Sequence, residues 1–511
     1  MSDFWSTFGV DLHVDVDPAQ GRRAGLEHAL RGAIRSGRLV AGSRLPSTRA
    51  LAQELGLARG TVSAAYDQLT AEGYLIARRG SGTTVAEFPP SPGAPEPEPD
   101  AARTPRFDLV PGSPDPSSFP TALWLKAMRR ALNAAPVRAF GYGGARGTIE
   151  LRAALADYLG RTRGVVADAE RIVVTSGYLQ ALSLLAGLIA RRPGATIAME
   201  DPGLPYHREV VRRAGVRVLP LPVDALGARA DLLTGADFAD VDAVVVTPAH
   251  QYPAGMTLHA SRRRALVEWA RSRDALIIED DYDAEFRYDR QPVGAIQGVA
   301  PDHVAYVGTV SKTLGPALRL GWAVLPAHLA VPLATAKQYT DYHAETFGQL
   351  ALADLIATHA YDRHVRACRA RYGRRRDLLL SRLDAAKAAE PAFADLAVRG
   401  IAAGLHALVT LPPGSGVDEA RVLTVAARHG LALGSLGPHW HERTRNGLGP
   451  AADLVPDLLP NLMQAAGRGA VPGTSLPQGV IVGYGKPTES AYPGALDALI
   501  EVLCEVLRAS R

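Results

Sequence analysis

The segment from residue 308 to 322, GTVSKTLGPALRLGW, carries the residues best suited to covalent chemistry. The chain has 56 basic residues, of which only five are lysines, and Lys312 lies in this segment. A desolvated lysine amine loses its proton, which arginine cannot do, and then attacks an aldehyde to form a Schiff base. Thr309, Ser311 and Arg319 add hydroxyl groups and a guanidinium fork that suit a phosphate. Together these residues predict a site for pyridoxal 5'-phosphate (PLP), an aldehyde that carries a phosphate; the alternative is a lysine in a solvated loop.

A second group of reactive side chains is the acidic run EDDYD at residues 279 to 283. It follows an apolar stretch that predicts a buried strand, and ligands of α/β sheets bind where such strands end. A PLP protein places one carboxylate against the pyridine nitrogen, which stays protonated and lets the ring accept electrons. Asp280 is the candidate for this carboxylate. The alternative, acids on a solvated turn, is weakened because the preceding strand is apolar.

The elements that must position these groups alternate between strand-like and helical patterns after residue 107. This alternation predicts an α/β domain with a mixed, mostly parallel sheet and helices on both faces. Ser176, Gly177 and Tyr178 fall between a strand and a helix, where free N–H groups and the helix dipole receive phosphates. The predicted helices include residues 179 to 190 and 261 to 271, and the predicted strands are residues 171 to 175, 196 to 200, 216 to 221, 243 to 247, 275 to 280, 304 to 307 and 318 to 325.

The N-terminal part of the chain has a different pattern. Apolar residues at helical spacing predict a helix around residues 26 to 34, and two further helices are predicted up to residue 72, the first with Ser47 as its N-cap. Two short strand-like runs that flank a glycine-containing turn then predict a hairpin within residues 74 to 86. Three helices followed by a hairpin are typical of a winged helix-turn-helix domain, whose recognition helix enters the major groove of DNA.

Positive charge is concentrated in this N-terminal part. Residues 22 to 86 contain ten arginines and four acidic residues, a net charge of +6, whereas the whole chain carries +4. Such a surface favours contacts with DNA phosphates and makes binding weaken as salt rises. The alternative is that individual arginines only solvate the surface of a small domain.

The length and composition of the chain indicate several domains. A chain of 511 residues is too long for one core. Residues 87 to 106 contain seven prolines and predict a semi-rigid linker that extends about 3.1 Å per residue. We therefore predict a DNA-binding domain at residues 12 to 86, a linker at 87 to 106 and a larger domain at 107 to 511.

Several classes of protein are disfavoured by the sequence. Two cysteines, far apart, argue against a disulfide framework and fit a reducing compartment. No apolar run reaches the roughly 20 residues needed to span a bilayer, and the N-terminus has no signal-peptide pattern. We expect a cytoplasmic protein that does not contact membranes, and we predict no metal site.

The motifs resemble those of a known family. EDDYDAEFRY and GTVSKTLGPALRLGW resemble the fold-type I aminotransferases, and LPSTRALAQELGLARGTVSAAYDQLTAEGYL resembles the GntR winged-helix repressors. Nearly the whole chain therefore resembles the MocR/GabR-type regulators, which join these two domains. The resemblance implies PLP as cofactor and double-stranded operator DNA as partner. The DNA-contacting residues that it implies are Arg49, Arg59, Thr61, Ser63, Arg79 and Gly80.

The resemblance also implies roles around the cofactor. Ser176, Gly177 and Tyr178 would bind the PLP phosphate, partly through backbone amides. Tyr282 would donate a hydrogen bond to the ring O3'. Tyr142 matches a tyrosine that reaches the cofactor of the neighbouring subunit, which implies a homodimer.

Two positions depart from the pattern of the family. Leu204 stands where the family often has an aromatic residue, and Tyr206 lies two residues later. The sequence therefore does not determine which side chain covers the cofactor ring. Ile481 stands where aminotransferases place an arginine that binds the substrate carboxylate. The arginines that could substitute for it are Arg399, Arg443 and Arg445.

The function predicted from the resemblance is a PLP-dependent, DNA-binding transcriptional regulator. The absent arginine favours a sensor of PLP itself that controls genes of vitamin B6 synthesis or salvage. A regulator that responds to an amino acid bound to PLP would also fit the resemblance. An active aminotransferase with a DNA-binding appendage is a third hypothesis, and a repressor whose larger domain no longer binds PLP is a fourth.

Overall fold

The computed structural model divides the chain into two compact units, Met1–Thr104 and Pro105–Arg511. Most of the predicted linker, residues 88 to 104, lies outside the described residues, so its boundaries stay a prediction. None of the helices in the described parts of the chain is long and apolar enough to cross a membrane. The described residues are 21–78, 82–87, 105–289, 293–412, 416–445 and 476–509.

The N-terminal unit contains the predicted three helices and hairpin. Its elements are α1 (Arg22–Arg35), α2 (Thr48–Glu54), α3 (Arg59–Ala71), β1 (Leu75–Arg78) and β2 (Gly82–Val85). The two strands pair antiparallel. Ser47 is the N-cap of α2, as predicted, because its Oγ accepts a hydrogen bond of 3.2 Å from the backbone N–H of Ala50. The winged-helix fold is therefore confirmed.

One hydrophobic core holds this unit together. Leu26 and Leu30 of α1 pack with Val62 and Leu69 of α3 because apolar residues at helical spacing share one face. The polar positions of α3 consequently lie on its other face.

The larger unit begins with β3 (Phe107–Leu109) and contains two sheets. The helices within its described residues are α4 (Thr121–Ala134), α5 (Ile149–Arg163), α6 (Tyr178–Ile189), α7 (Pro205–Arg213), α8 (Ala260–Arg273), α9 (Ala327–Asp341), α10 (Thr346–Ala357), α11 (Ala360–Ala389), α12 (Glu419–Arg428), α13 (Glu442–Arg445) and α14 (Tyr492–Arg508). Its remaining strands are β4 (Ile172–Thr175), β5 (Thr196–Asp201), β6 (Arg217–Asp224), β7 (Gly227–Ala228), β8 (Ala243–Val246), β9 (Leu276–Asp281), β10 (Val304–Thr309), β11 (Gly321–Val324), β12 (Ala397–Arg399), β13 (His406–Thr410), β14 (Leu431–Ser435) and β15 (Gly479–Gly483).

The first sheet has eight strands in the order β4-β11-β10-β9-β8-β5-β6-β7. The central pairs are parallel, and β11 runs antiparallel to both of its neighbours. Both faces are buried, because Ile172 and Val174 of β4 belong to one hydrophobic cluster and Val173 belongs to another. This is the predicted, mostly parallel α/β arrangement.

The second sheet, which the sequence patterns did not predict, has five strands in the order β12-β13-β15-β14-β3. β3 pairs in parallel with β14, so the first strand of the unit completes a sheet built from its last part. Residues of α11, α12 and α14 pack with this sheet in one core.

One predicted strand is shorter than expected. We predict residues 318 to 325 as a strand, but β11 begins at Gly321. Pro316–Leu318 form a short 3-10 turn, and Arg319 adopts a left-handed conformation with φ 51°. Arg319 therefore lies between this turn and β11 and is not part of the strand. Its side chain does not follow the alternating directions that a strand would impose.

Candidate functional site

The main candidate site is a cavity of about 320 Å³ near the carboxyl ends of β9 and β10. β9 and β10 pair in parallel, with Asp280 opposite Val307, so the residues that follow both strands meet at the same edge of the sheet. The sequence-predicted residues that line this cavity are Tyr178, Asp280, Tyr282, Thr309, Ser311, Lys312 and Arg319.

Lys312 lies in the turn after β10. Its Nζ donates a hydrogen bond to the carbonyl oxygen of Gly112, which also lines the cavity. Burial lowers the pKa of Lys312, although the carboxylates of Asp283 and Asp280 act in the opposite direction. A lowered pKa increases the fraction of neutral amine, which is the nucleophilic form.

Asp280 is buried at the end of β9, with 4% of its surface exposed. Its Oδ1 has no hydrogen-bond partner among the residues that the structure describes. Burial, and then the nearby charges of Asp281 and Asp283, raise the pKa of Asp280 well above its usual value. A buried carboxylate oxygen without a donor is costly, so this position fits a ligand that brings an N–H group, as a protonated pyridine ring does.

The N-terminus of α6 and the adjacent Arg319 suit a phosphate. Gly177 caps the N-terminus of α6 with φ 102°. A Cβ added to Gly177 would lie 3.5 Å from Nη1 of Arg319, so the guanidinium stands beside the first free N–H groups of the helix. A cation and a helix N-terminus together favour an anion. The polar groups at this site therefore fit both the ring nitrogen and the phosphate of PLP.

Hydroxyl groups hold the turn that carries Lys312. Thr309 Oγ1 donates a hydrogen bond of 2.9 Å to the carbonyl of Leu320 and accepts one of 3.1 Å from the N–H of Ser311. Ser176 is predicted to bind the phosphate, but it does not line the cavity, and its N–H donates to Oε1 of Gln180 at 2.8 Å. Its role stays a prediction.

Tyr282 joins a buried polar group on another wall. Its hydroxyl lies 3.2 Å from Nδ1 of His250, which in turn lies 2.9 Å from Oδ2 of Asp283. His406 packs against His250 with ring centroids 4.9 Å apart. The ligand atoms of His250, Asp283 and His406 lie within 4.8 Å of one another, a spacing that would also admit a metal ion. Nδ1 of His250 is already engaged by Asp283 and Tyr282, so hydrogen bonding accounts for this cluster.

Tyr142 does not line this cavity. It is 88% exposed and packs against Tyr342 and His343, with ring centroids 5.4 and 6.4 Å away. Its predicted contact with the cofactor of a partner subunit stays a prediction.

The structure brings His207, which the sequence reasoning missed, into the cavity wall. Pro205 begins α7, and His207 packs against Tyr178 with ring centroids 4.7 Å apart. Burial, followed by the nearby charges of Lys312 and Arg208, lowers the pKa of His207 to about 3. An aromatic side chain close to the family's aromatic position is the sequence signal that could have identified it.

The position of the missing carboxylate-binding arginine is apolar. Ile481 is 0% exposed on β15 and packs with Leu408, Leu436 and Trp440. Arg399 lies on β12 and does not line the cavity. The side chains of the other two predicted substitutes, Arg443 and Arg445, lie outside the described residues.

Arg208 is the remaining arginine to consider, because it lines the cavity. It is buried, and its Nη1 donates hydrogen bonds of 2.9 Å to the carbonyls of Gly203 and His439. These bonds tie α7 to the segment after β14, so the guanidinium is already used in holding the two segments together.

The candidate DNA-binding surface lies on the N-terminal unit. Arg49 on α2 and Arg59 at the start of α3 are exposed, while Thr61 and Ser63 of α3 are half-buried. The predicted wing contacts Arg79 and Gly80 lie outside the described residues.

Comparison with known proteins identifies the family. Residues 23–85 match the model for bacterial regulatory proteins of the gntR family, and residues 112–431 match aminotransferase class I and II. The chain is 34% identical to the HTH-type pyridoxine biosynthesis transcriptional regulator PdxR of Corynebacterium glutamicum, over 81% of this chain and 88% of the relative. The chain belongs to the MocR-type GntR regulators. The resemblance seen in the sequence motifs is thereby confirmed.

Two further comparisons define what is shared. The probable rhizopine catabolism regulatory protein MocR of Rhizobium meliloti is 34% identical over 72% of this chain and 78% of its own length. The kynurenine aminotransferase of Pyrococcus horikoshii has the same fold, with a TM-score of 0.65, 24% identity, and coverage of 78% of this chain and 91% of that one. GntR-type regulators bind DNA, and proteins with this aminotransferase fold use PLP.

Proposed function

We propose that this MocR-type regulator binds PLP at Lys312, senses PLP itself, and controls genes of vitamin B6 synthesis or salvage by binding operator DNA as a homodimer. The chemistry of the cavity supports PLP: Lys312 offers a partly desolvated amine, Asp280 a buried acceptor, and Arg319 a cation beside a helix N-terminus. PLP supplies an aldehyde that bonds to a lysine amine and a ring that withdraws electrons.

Each cavity residue has a separate task in this proposal. Lys312 would hold the aldehyde by condensation with its amine, which releases water, and Asp280 would accept a hydrogen bond from the ring nitrogen. Arg319 and the first N–H groups of α6 hold the phosphate. Tyr282, whose hydroxyl lies 3.2 Å from His250, donates to the ring O3' once its proton turns toward the cavity.

The observation that carries the sensor proposal is the burial of Ile481. An aminotransferase uses an arginine at this position to bind the carboxylate of its substrate, whereas here an isoleucine packs against Leu408 and Trp440. Arg208, which lines the cavity together with Arg319, donates to backbone carbonyls instead. A site that binds the cofactor but offers no guanidinium to an amino-acid carboxylate suits a regulator that responds to PLP alone.

The relatives by themselves do not choose the effector. PdxR and MocR are both 34% identical to this chain, and their names refer to pyridoxine biosynthesis and to rhizopine catabolism. The apolar environment of Ile481 favours the first of these roles.

A DNA titration tests the proposal. The probe is a duplex that carries the region upstream of the protein's own gene, titrated with PLP-free and PLP-loaded protein in the absence of amino acids. We expect PLP alone to change the affinity about 5- to 150-fold, the range of typical allosteric coupling. A panel of amino-acid donors, assayed in parallel, should show no rapid transamination and no further effect on DNA binding.

Three outcomes would contradict the proposal. Equal DNA affinities with and without PLP would remove the sensor role. Rapid turnover of a donor would favour an active aminotransferase, and a change in DNA affinity only after an amino acid is added would favour the amino-acid-responsive regulator. Asp280→Asn is the control, because its loss of a charged acceptor should weaken the PLP response while DNA binding of the PLP-free protein stays unchanged.

A further inference from the structure

The position after β5 where the family often supplies an aromatic cover for the cofactor ring is occupied here by Leu204. Leu204 lines the cavity but has no ring. Tyr206 has a ring, but it is 63% exposed and does not line the cavity. The face of a planar aromatic ligand would therefore need a cover from another position.

Tyr178 is positioned to provide that cover. It is the first residue of α6, where the backbone belongs to the anion-binding end of the cavity. Its side chain lines the cavity and is 8% exposed. The hydroxyl is buried and has no hydrogen-bond partner within the described part of the chain. Burial, and then the charges of Asp280 and Glu200, raise the pKa of Tyr178 well above its usual value.

Tyr178 follows Gly177, which lies beside Arg319, and its side chain lines the same cavity as Asp280. Arg319 and Asp280 are the two points that would hold the phosphate and the ring nitrogen of PLP. A pyridine ring held between them would share this cavity with the phenol ring.

His207 packs against the phenol ring within the cavity wall. The two ring centroids lie 4.7 Å apart with an angle of 35° between the planes, which is within the range of favourable aromatic contacts. Because burial, Lys312 and Arg208 lower the pKa of His207 to about 3, its imidazole is neutral at ordinary pH. A neutral ring adds no positive charge next to a protonated pyridine.

We propose that the side chain of Tyr178, backed by His207, is the positioning group that covers the pyridine ring of PLP in this protein, in place of the aromatic residue absent at Leu204. This inference rests on the proposed function, namely that the cavity binds PLP. It gives the Tyr178 side chain a task separate from the phosphate binding that the sequence predicts for its backbone amide.

The test compares substitutions at the two tyrosines. PLP affinity is measured by absorbance titration, and the visible circular dichroism of bound PLP reports how the ring is held. Tyr178→Leu should weaken PLP binding about 2- to 13-fold, the factor that corresponds to about 0.5–1.5 kcal/mol for an aromatic contact, and should reduce the dichroism. Tyr178→Phe, which keeps the ring, should bind PLP within about twofold of the wild type. Tyr206→Leu is the matched control and should change neither quantity.

A second variant keeps the inference testable where Tyr178→Leu does not fold, as judged by its thermal unfolding. His207→Ala removes the support, so it should reduce the dichroism with a smaller loss of affinity, and His207→Phe should restore both. The inference would be overturned if Tyr178→Leu kept the PLP affinity and dichroism of the wild type. It would also be overturned if Tyr206→Leu lost as much PLP affinity and dichroism as Tyr178→Leu. Failure of the wild-type protein to bind PLP would instead overturn the proposed function.

Discussion

Lys312 and Asp280 are far apart in the sequence, but strand pairing brings both into the lining of one cavity. β9 and β10 are parallel neighbours, so the acidic run that ends one strand and the turn that follows the other lie at the same edge. Lys312 is partly desolvated there and stands near two carboxylates. Burial therefore favours the neutral, reactive form of the Lys312 amine, while Asp280 and Asp283 favour its charged form.

Substitution of Lys312 tests the covalent role of this residue. The wild-type protein should be yellow with PLP and, after borohydride reduction and digestion, should yield a pyridoxyl-modified peptide that contains Lys312. Lys312→Ala should lose this product completely, because alanine has no amine. Lys126→Ala, at an exposed lysine on α4, is the control and should label normally. Labelling of another lysine in the wild type would reassign the site.

At the scale of single elements, the burial of one face of α3 determines which side chains can reach DNA. Val62, Ala65 and Leu69 pack into the core, so Arg59 and Ser63 remain on the accessible side of the helix. The position of Arg59 at the first residue of α3 also agrees with recognition helices, which use their N-terminal residues.

The element-scale prediction concerns Arg59. Arg59→Ala should weaken binding to the upstream duplex, and if the contact is to a phosphate, the salt slope should become shallower by about one unit. PLP absorbance should stay unchanged, because the DNA-binding unit has its own hydrophobic core. Arg264→Ala removes the same charge from an exposed position on α8 and should leave DNA affinity as it is. Equal affinities for Arg59→Ala and the wild type would remove Arg59 from the contact surface.

At the scale of the whole molecule, the proposed homodimer concerns an exposed aromatic residue. Tyr142 exposes 88% of its surface and packs against Tyr342. In the homodimer that we propose, a second copy of this chain would cover Tyr142, which would reach the cofactor of its partner.

A mixed dimer tests this contact. Tyr142→Ala and Lys312→Ala should each reduce high-affinity PLP binding when expressed alone. In a dimer that contains one chain of each, one site regains both residues, so random pairing should restore about a quarter of the sites. The measurement is the number of tightly bound PLP molecules per chain after co-expression. Absence of any recovery would show that Tyr142 does not act across subunits.

The sequence by itself determined the elements whose patterns are local. Helical spacing and the N-cap Ser47 predicted the N-terminal helices, and apolar runs predicted most strands of the large sheet, because these signals depend on near neighbours in the chain. The same runs led to Lys312 and Asp280, since side chains at strand ends collect at one edge of a parallel sheet.

The tertiary structure decided what depends on distant segments. β3 pairs with β14, Ile481 is enclosed by an apolar cluster, and His207 packs against Tyr178. None of these contacts leaves a periodic pattern, because each is fixed by how remote segments pack once the sheets have formed. The turn at Arg319 belongs to the same class, since its left-handed backbone places the guanidinium beside Gly177, where the sequence alone suggested a strand.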